Sequence, residues 1–236
     1  FTSPFLQNKM QIKTNGLVWM GTLADMRAQA IEKIAAGFQT VKLKIGALDW
    51  PQELLLLQEL RASAPASELT IRVDANGAFS PSEIGSVLEE LARIDIHSIE
   101  QPIGAGQIDQ MRELCMHTPV PIALDEELIG VNSPAQKRAL LELIQPQYII
   151  LKPSLHGGLS GVREWIALAE ERNIGWWLTS ALESSIGLSA IVQFGACYAP
   201  TIPQGFGTGG LYTNNFPAPL RIQEGHICWV NDSSKD

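Results

Sequence analysis

The sequence predicts a parallel (β/α) barrel, and three observations carry that expectation. A short apolar strand followed by a helix-like stretch recurs along the chain. Eight candidate strands can be counted. No GxGxxG motif follows the first of them, which weighs against the main alternative, a doubly wound open sheet.

The first strand is expected at GLVWMG (16–21), and the helix LADMRAQAIEKIAAG (23–37) stops on Gly37. The second strand is TVKLKIG (40–46). There Val41, Leu43 and Ile45 alternate with Lys42 and Lys44, so the aliphatic groups share one face and the ammonium groups the other. The third strand is LTIRVDANG (69–77). The helix after it, SPSEIGSVLEELARI (80–94), has a serine cap and Pro81 in its first turn. Strands four to seven are HSIEQPI (97–103), PIALDEEL (121–128), YIILKPS (148–154) and GWWLTSA (175–181). SPAQKRALLELI (133–144) and GLSGVREWIALAEERNIG (158–175) read as helices, and IPQGFGT (202–208) as a weaker eighth strand. The stretch FPAPLRIQEGHICWV (216–230) is β-like but lies outside the repeat. Residues 1–215 are therefore expected to be the barrel and 216–236 a tail that packs elsewhere.

Composition bounds the function. The chain has 236 residues, 45% hydrophobic and 18% charged, as soluble globular proteins do. A net charge of −8 weighs against nucleic acid or an anionic membrane as partner and suits an enzyme of small molecules. Cys115, Cys197 and Cys228 are scattered without a CxxC spacing. No disulfide framework is expected, and a reducing cytosol is the simpler home. No apolar stretch is long enough to span a bilayer and no signal peptide opens the chain. The chain opens on Phe1, as a processed protein or a fragment would.

The C-terminal ends of the strands carry the chemistry. Strand two offers Lys42 and Lys44, strand three Asp74 and Asn76, strand four Glu100, strand five Asp125 and strand six Lys152. In each case the aliphatic neighbours face the helices, and the charge points to the mouth where such barrels place their sites. Any one of these charges could be a paired structural ion. Five strands ending alike argue for function, because burying unpaired charge costs several kcal/mol. Asp74, Glu100 and Asp125 would repel one another on neighbouring strands. A hard divalent cation relieves that, and oxygen-only ligands favour Mg²⁺ or Mn²⁺ over Zn²⁺. Three acids, three lysines and the cation leave a net positive site suited to a small anionic carboxylate. Strands two and six are opposite in an eight-stranded circle, so Lys44 and Lys152 flank the cation. The arrangement suits removal of a proton next to a carboxylate by a neutral lysine, Lys44, which Lys42 and the cation both disfavour as an ammonium.

The order KxK, DxN, EQP, DE, KP resembles the enolase superfamily, in its muconate-lactonising-enzyme-like branch. The gaps from 44 to 74, 100, 125 and 152 are regular at 30, 26, 25 and 27 residues. The resemblance implies an enolase-type, TIM-like barrel whose mouth is closed by an N-terminal α+β capping domain. The barrel pattern begins by about residue 16, leaving no room for that cap, so the chain is expected to be the barrel part of a longer protein. Its tail, from about 216, would return to the cap. Within the branch, LTSALESSIG (178–187) and GFGTGGLYTNN (205–215) are most similar to the o-succinylbenzoate synthases. These lyases of menaquinone biosynthesis dehydrate a succinyl-hydroxycyclohexadiene carboxylate.

Carried over, Asp74, Glu100 and Asp125 bind Mg²⁺, and Lys44 is the base and then the acid that helps the hydroxyl leave. Lys152 stabilises the enediolate, partly by cation–π contact, and Lys42 supports the electrostatics near Lys44. Asn76, Ser180, Gly207 and Thr208 are assigned to substrate binding; the glycine run can also be read as a plain turn. Three other readings stay open. A racemase or epimerase of N-succinylamino acids or dipeptides would use both lysines as bases. A Schiff-base aldolase would use Lys152 as nucleophile but leaves the three acids unexplained. A non-catalytic barrel would have lost a metal ligand, and none is lost. His97, His117, His156 and His226 are not needed in this scheme and are given surface or packing roles, with a place lining the mouth as the alternative for His156; the six tryptophans are given packing roles.

Overall fold

The structure is a computed structural model that describes residues 3–230. After a 3₁₀ turn (Pro4–Gln7) come β1 (Ile12–Lys13), β2 (Gly16–Val18), α1 (Leu23–Ala35), β3 (Thr40–Lys44) and α2 (Trp50–Ser63). Then follow β4 (Thr70–Asp74), α3 (Ile84–Arg93), β5 (Ser98–Glu100), α4 (Ile108–His117) and β6 (Ile122–Leu124). A second 3₁₀ turn (Glu126–Leu128) leads to α5 (Pro134–Ile144), β7 (Tyr148–Leu151), α6 (Gly158–Glu170), β8 (Gly175–Leu178) and α7 (Ser185–Ala196). The chain closes with β9 (Leu220–Gln223) and β10 (His226–Trp229).

Strands β2 to β8 form one parallel sheet in chain order, with helices between them, as the βα repeat predicts. The helices follow from local chemistry. Thr22 and Asp25 form a reciprocal capping box at the start of α1, and Ser133 and Gln136 form another at α5. Helix α3 buries Ile84, Val87, Leu88 and Leu91, the spacing that lays one apolar stripe on the sheet. It starts at Ile84, later than the sequence suggests, because Ser80 and Glu83 bond to each other in a preceding turn. The main core lies between the outward face of the sheet (Val41, Leu43, Ile71, Val73, Ile99, Ile149, Leu151) and these helices.

Inside the curled sheet lies a second, smaller cluster of Ala123, Ile150 and Trp177. Arg72 covers it, its guanidinium carbon 4.0 Å from the Trp177 ring centre and Nη1 donating to Pro203 O at 2.8 Å. Cation–π contact and this bond let a cation be buried inside the sheet.

The expected eighth strand is not a regular one. Pro203, Gly205 and Gly207 break it, since proline removes a ladder donor and glycine weakens a strand. What remains are two bridges, Gln204 to Thr14 and Gly205 to Thr179. Their hydrogen bonds join the two edges of the sheet: Asn15 N to Gln204 O (2.9 Å), Gln204 N to Lys13 O (2.8 Å) and Gly205 N to Leu178 O (2.7 Å). The expected strands are also shorter than read; the fifth stops at Leu124, where the 3₁₀ turn takes over.

The β-like tail forms β9 and β10, which join β1 in a three-stranded antiparallel sheet. Ile227 pairs with Ile12, and Trp229 meets Phe5 edge-on at 6.1 Å between ring centres. Positions 231–236 of the expected tail, and residues 1–2, lie outside the described residues.

Gly205 is where the closing segment presses on β8. A Cβ there would stand 2.4 Å from Thr179 Oγ1 and 2.6 Å from Thr179 Cβ. Gly205→Ala is expected to cost about 1–3 kcal/mol, lowering the thermal midpoint by about 2–10 °C for a domain of this size. An unchanged midpoint in a circular-dichroism melt would show that the closing segment is not docked as described.

Candidate active site

Register brings the charged ends together. Lys44 pairs with Asp74 across β3 and β4, and Asp74 with Glu100 across β4 and β5, so three charged residues form one row. Lys42, Arg72 and Ser98 form the row beneath. Adjacent strands stand about 4.8 Å apart, so side chains of one row, and long ones from the row below, meet. Asp125 follows β6 and Lys152 follows β7 on the same side.

Lys42 Nζ donates to Asp74 Oδ2 and to Glu100 Oε2, both at 2.8 Å. Lys44 Nζ shares that Asp74 oxygen at 2.7 Å and donates to Asn76 Oδ1 at 2.6 Å. Lys152 Nζ donates to Asp125 Oδ2. Asp74, Glu100 and Asp125 are buried. Burial acts against the Lys42 ammonium, but Asp74 and Glu100 outweigh it and hold its pKa above lysine's ordinary value. Burial likewise acts against the Asp74 carboxylate, and Lys42 and Lys44 outweigh it and pull its pKa down. Glu100 goes the other way: burial first, then Asp74 and Asp125, push its carboxyl well above the usual range. Lys152 is raised by Asp125 and Glu100 against the cost of burial.

A cavity of about 310 Å³ opens over this row. Of the residues predicted for the site, Lys42, Lys44, Asp74, Lys152, Ser180, Gly207 and Thr208 line it. Asn76 stands at its rim, turned by a bond from its own amide to Asp74 Oδ1 (3.1 Å), and its side-chain nitrogen donates to Glu126 Oε1 at 2.8 Å. Glu100 and Asp125 are buried and do not line it. Ser180 and Thr208 hydroxyls meet at 2.5 Å, and Leu182 N donates to Ser180 at 3.2 Å. Gly207 admits no side chain, because a Cβ would meet Asn15 O at 2.7 Å.

The three carboxylates do not close on a common point. Among the described residues no group of three His, Cys, Asp or Glu side chains is set to hold a metal ion. The lysines take one oxygen from each acid instead. The donor set still fits a hard cation. Glu100 Oε1, Asp125 Oδ1 and the neighbouring Glu126 Oε2 are buried carboxylate oxygens with no hydrogen-bond partner among the described residues, which is how an oxygen-ligated divalent ion would find them.

Several residues that build the site escaped the sequence reading. Glu53, buried in the first turn of α2, accepts from Gly46 N (2.7 Å), Ala47 N (3.2 Å) and Leu48 N (3.0 Å), fixing the loop after Lys44. Gln101 is fully buried with φ +38; its Oε1 accepts from Asp125 N and Glu127 N at 3.2 Å each. Its Nε2 donates to Ile103 O (3.0 Å) and Glu127 Oε2 (3.2 Å). This amide ties the end of β5 to the turn that carries Asp125. Leu17, Trp19, Leu155 and Leu182 give the cavity an apolar wall. Only the EQP tripeptide offered a signal for Gln101; the apolar wall offered none. Of the histidines, His97 is half-buried beside Tyr148, its pKa lowered to about 4 by burial and by Arg72. His156 is buried behind Lys152.

A family model described as enolase C-terminal domain-like matches residues 25–231. The chain belongs to that family. Within the enolase C-terminal domain-like family, the o-succinylbenzoate synthase of Desulfotalea psychrophila is 52% identical over 225 residues, 95% of this chain and 61% of that protein. The crystal structure of MenC from Desulfotalea psychrophila LSv54 superposes with a TM-score of 0.90 at 50% identity, over 97% of this chain and 63% of that one. The L-Ala-D/L-Glu epimerase of Bacillus subtilis is 28% identical over 187 residues, 78% of this chain and 50% of that protein. The chain thus spans between half and two-thirds of the length of these relatives. The superfamily read from the strand-end motifs is the one the family model describes, and the parallel barrel expectation agrees with its fold.

Gln101 generates a test of the site's frame. Gln101→Met keeps the length of the side chain but leaves buried amides of Asp125 and Glu127 without acceptors. Each such loss costs about 1–3 kcal/mol, so urea unfolding is expected to show a loss of about 2–5 kcal/mol. A loss below about 1 kcal/mol would mean that the two amides find water or another acceptor.

Proposed function

We propose that this chain is the barrel of an o-succinylbenzoate synthase, a lyase that dehydrates a succinyl-hydroxycyclohexadiene carboxylate in menaquinone biosynthesis. The observation that carries the reading is the pair Lys44 and Lys152, which line one cavity from β3 and β7 with Asp74 in the same wall. The 52% identity to a protein of that name favours this activity over epimerisation. The remaining length of the relatives is where a capping domain would sit, and the tail from about 216 would belong with it. A cytoplasmic location suits the reading; among the described residues no helix is long and apolar enough to cross a membrane.

Asp74, Glu100 and Asp125 are the residues that would hold Mg²⁺, or Mn²⁺ in its place. A divalent cation there supplies the positive charge that makes a proton next to a carboxylate acidic enough to remove. Lys44 takes that proton and returns it to the departing hydroxyl. Lys152, on the opposite wall, stands as a positive charge beside the negative charge that develops on the substrate. Lys42 bridges Asp74 and Glu100 and keeps both carboxylates in place. Asn76 holds Lys44 at the rim. Ser180, Thr208 and the bare backbone at Gly207 offer donors to the substrate's carboxylates, and the apolar wall of Leu17, Trp19, Leu155 and Leu182 suits its ring.

Lys44→Ala is expected to lower kcat at least about a hundredfold while circular dichroism and calorimetric Mg²⁺ binding stay as in the wild type. Near-normal turnover would move the base to Lys152.

The epimerase reading is favoured by one observation, that both lysines reach the same cavity, and Lys152 separates the two. Arginine keeps the charge but does not give up its proton. Lys152→Arg is expected to retain measurable dehydration, reduced by its bulkier head, and to lose racemisation of an N-succinylamino acid. Racemisation kept in the variant would mean that Lys152 is no acid–base group in either reaction, and complete loss of dehydration in a folded variant would move weight to the epimerase.

A further inference from the structure

His156 stands directly behind Lys152 and has no part in the chemistry above. Strand β7 ends at Leu151, whose carbonyl takes the last ladder bond from Thr179 N at 3.0 Å. Lys152 comes next, beyond the ladder, and Pro153 after it has no amide to give. The backbone of Lys152 is held from elsewhere. Its amide donates to His156 Nδ1 at 3.1 Å, and its carbonyl accepts from Leu155 N (2.9 Å) and His156 N (3.1 Å).

The imidazole is itself tightly placed. It is 1% exposed and meets Trp165 at 6.5 Å between ring centres, inclined 61°. Its carbonyl lies so close to α6 that a Cβ on Gly161 would stand 2.0 Å from it. Because Nδ1 accepts a hydrogen bond, the neutral ring carries its proton on Nε2, which has no hydrogen-bond partner among the described residues.

We propose that His156 is a positioning residue for Lys152: its Nδ1 replaces the missing ladder acceptor and sets the direction in which the lysine side chain enters the cavity. The inference rests on the reading that Lys152 works in the dehydration. Burial lowers the pKa of His156 to about 4, so the ring stays neutral and accepting where the enzyme would work.

Three variants of the natural full-length polypeptide test it. Asparagine can place an oxygen near the position of Nδ1, glutamine places its oxygen near that of Nε2, and leucine fills the space without an acceptor. His156→Leu and His156→Gln are expected to lower kcat roughly ten- to a hundredfold, as small misplacements of a working group do, with KM within about twofold. His156→Asn is expected to recover most of kcat. Hydrogen exchange followed by NMR reads the bond without substrate: the Lys152 amide is protected in wild type and in His156→Asn, and exposed in the other two.

Wild-type kcat in His156→Leu would overturn the proposal. So would equal losses in all three variants that track their melting temperatures, because that is the pattern of a purely structural residue. A wild-type protein without dehydratase activity would overturn the reading of function instead, and a Lys152 amide that exchanges freely in it would overturn the positioning role.

Discussion

A cluster of buried charges at the ends of five strands is the constraint from which the rest follows. Three carboxylates stand close enough for each to disturb its neighbour, and three ammonium groups interleave with them. Burying either set alone would cost several kcal/mol per ion. Interleaved, they tolerate burial, and the parallel register of β3, β4 and β5 puts Lys44, Asp74 and Glu100 in one row with Lys42 just beneath. The outward side chains of the same strands are aliphatic, so the wall is held by the core and the mouth by electrostatics. The compensation is incomplete: Glu100 remains pressed between two acids, and carboxylate oxygens stay unpartnered. A site that is stable yet short of positive charge at one point is what an incoming cation would complete.

Beneath the row the barrel changes character. Arg72 lies over Trp177, which clusters with Ala123 and Ile150. None of these four residues lines the cavity, so a substrate there would be met by the lysines, Asp74 and the apolar side wall.

The strand-end charges were legible because a period of two puts Lys42 with Lys44 and Asp74 with Asn76 whatever the rest of the chain does. The helices with an apolar stripe or a capping box were legible for the same reason: their signals are local. What escaped depended on contacts between distant segments. The Gln101 amide has meaning only once β5 lies beside β6. The short strand β1 has two residues and a partner near the far end of the chain, so no pattern announces it. The eighth strand was over-read because its apolar residues stand among Pro203, Gly205 and Gly207, which suit a close-packed seam better than a ladder. Lys42 was read as tuning Lys44; the structure gives it a second task, bridging Asp74 and Glu100, which no spacing along one strand could reveal.

The pairing of β1 with β10 has a mechanical consequence. Ile12 sits opposite Ile227 and Lys13 opposite His226, so the chain enters and leaves this antiparallel clasp on the same side. Tension applied to the two ends would part the pairs one after another, like a zip, instead of shearing them together. The clasp would yield at low force, and slack would be released before any load reached β3 to β7. The strands that carry the charged row are thereby insulated from tugging at either end of the chain.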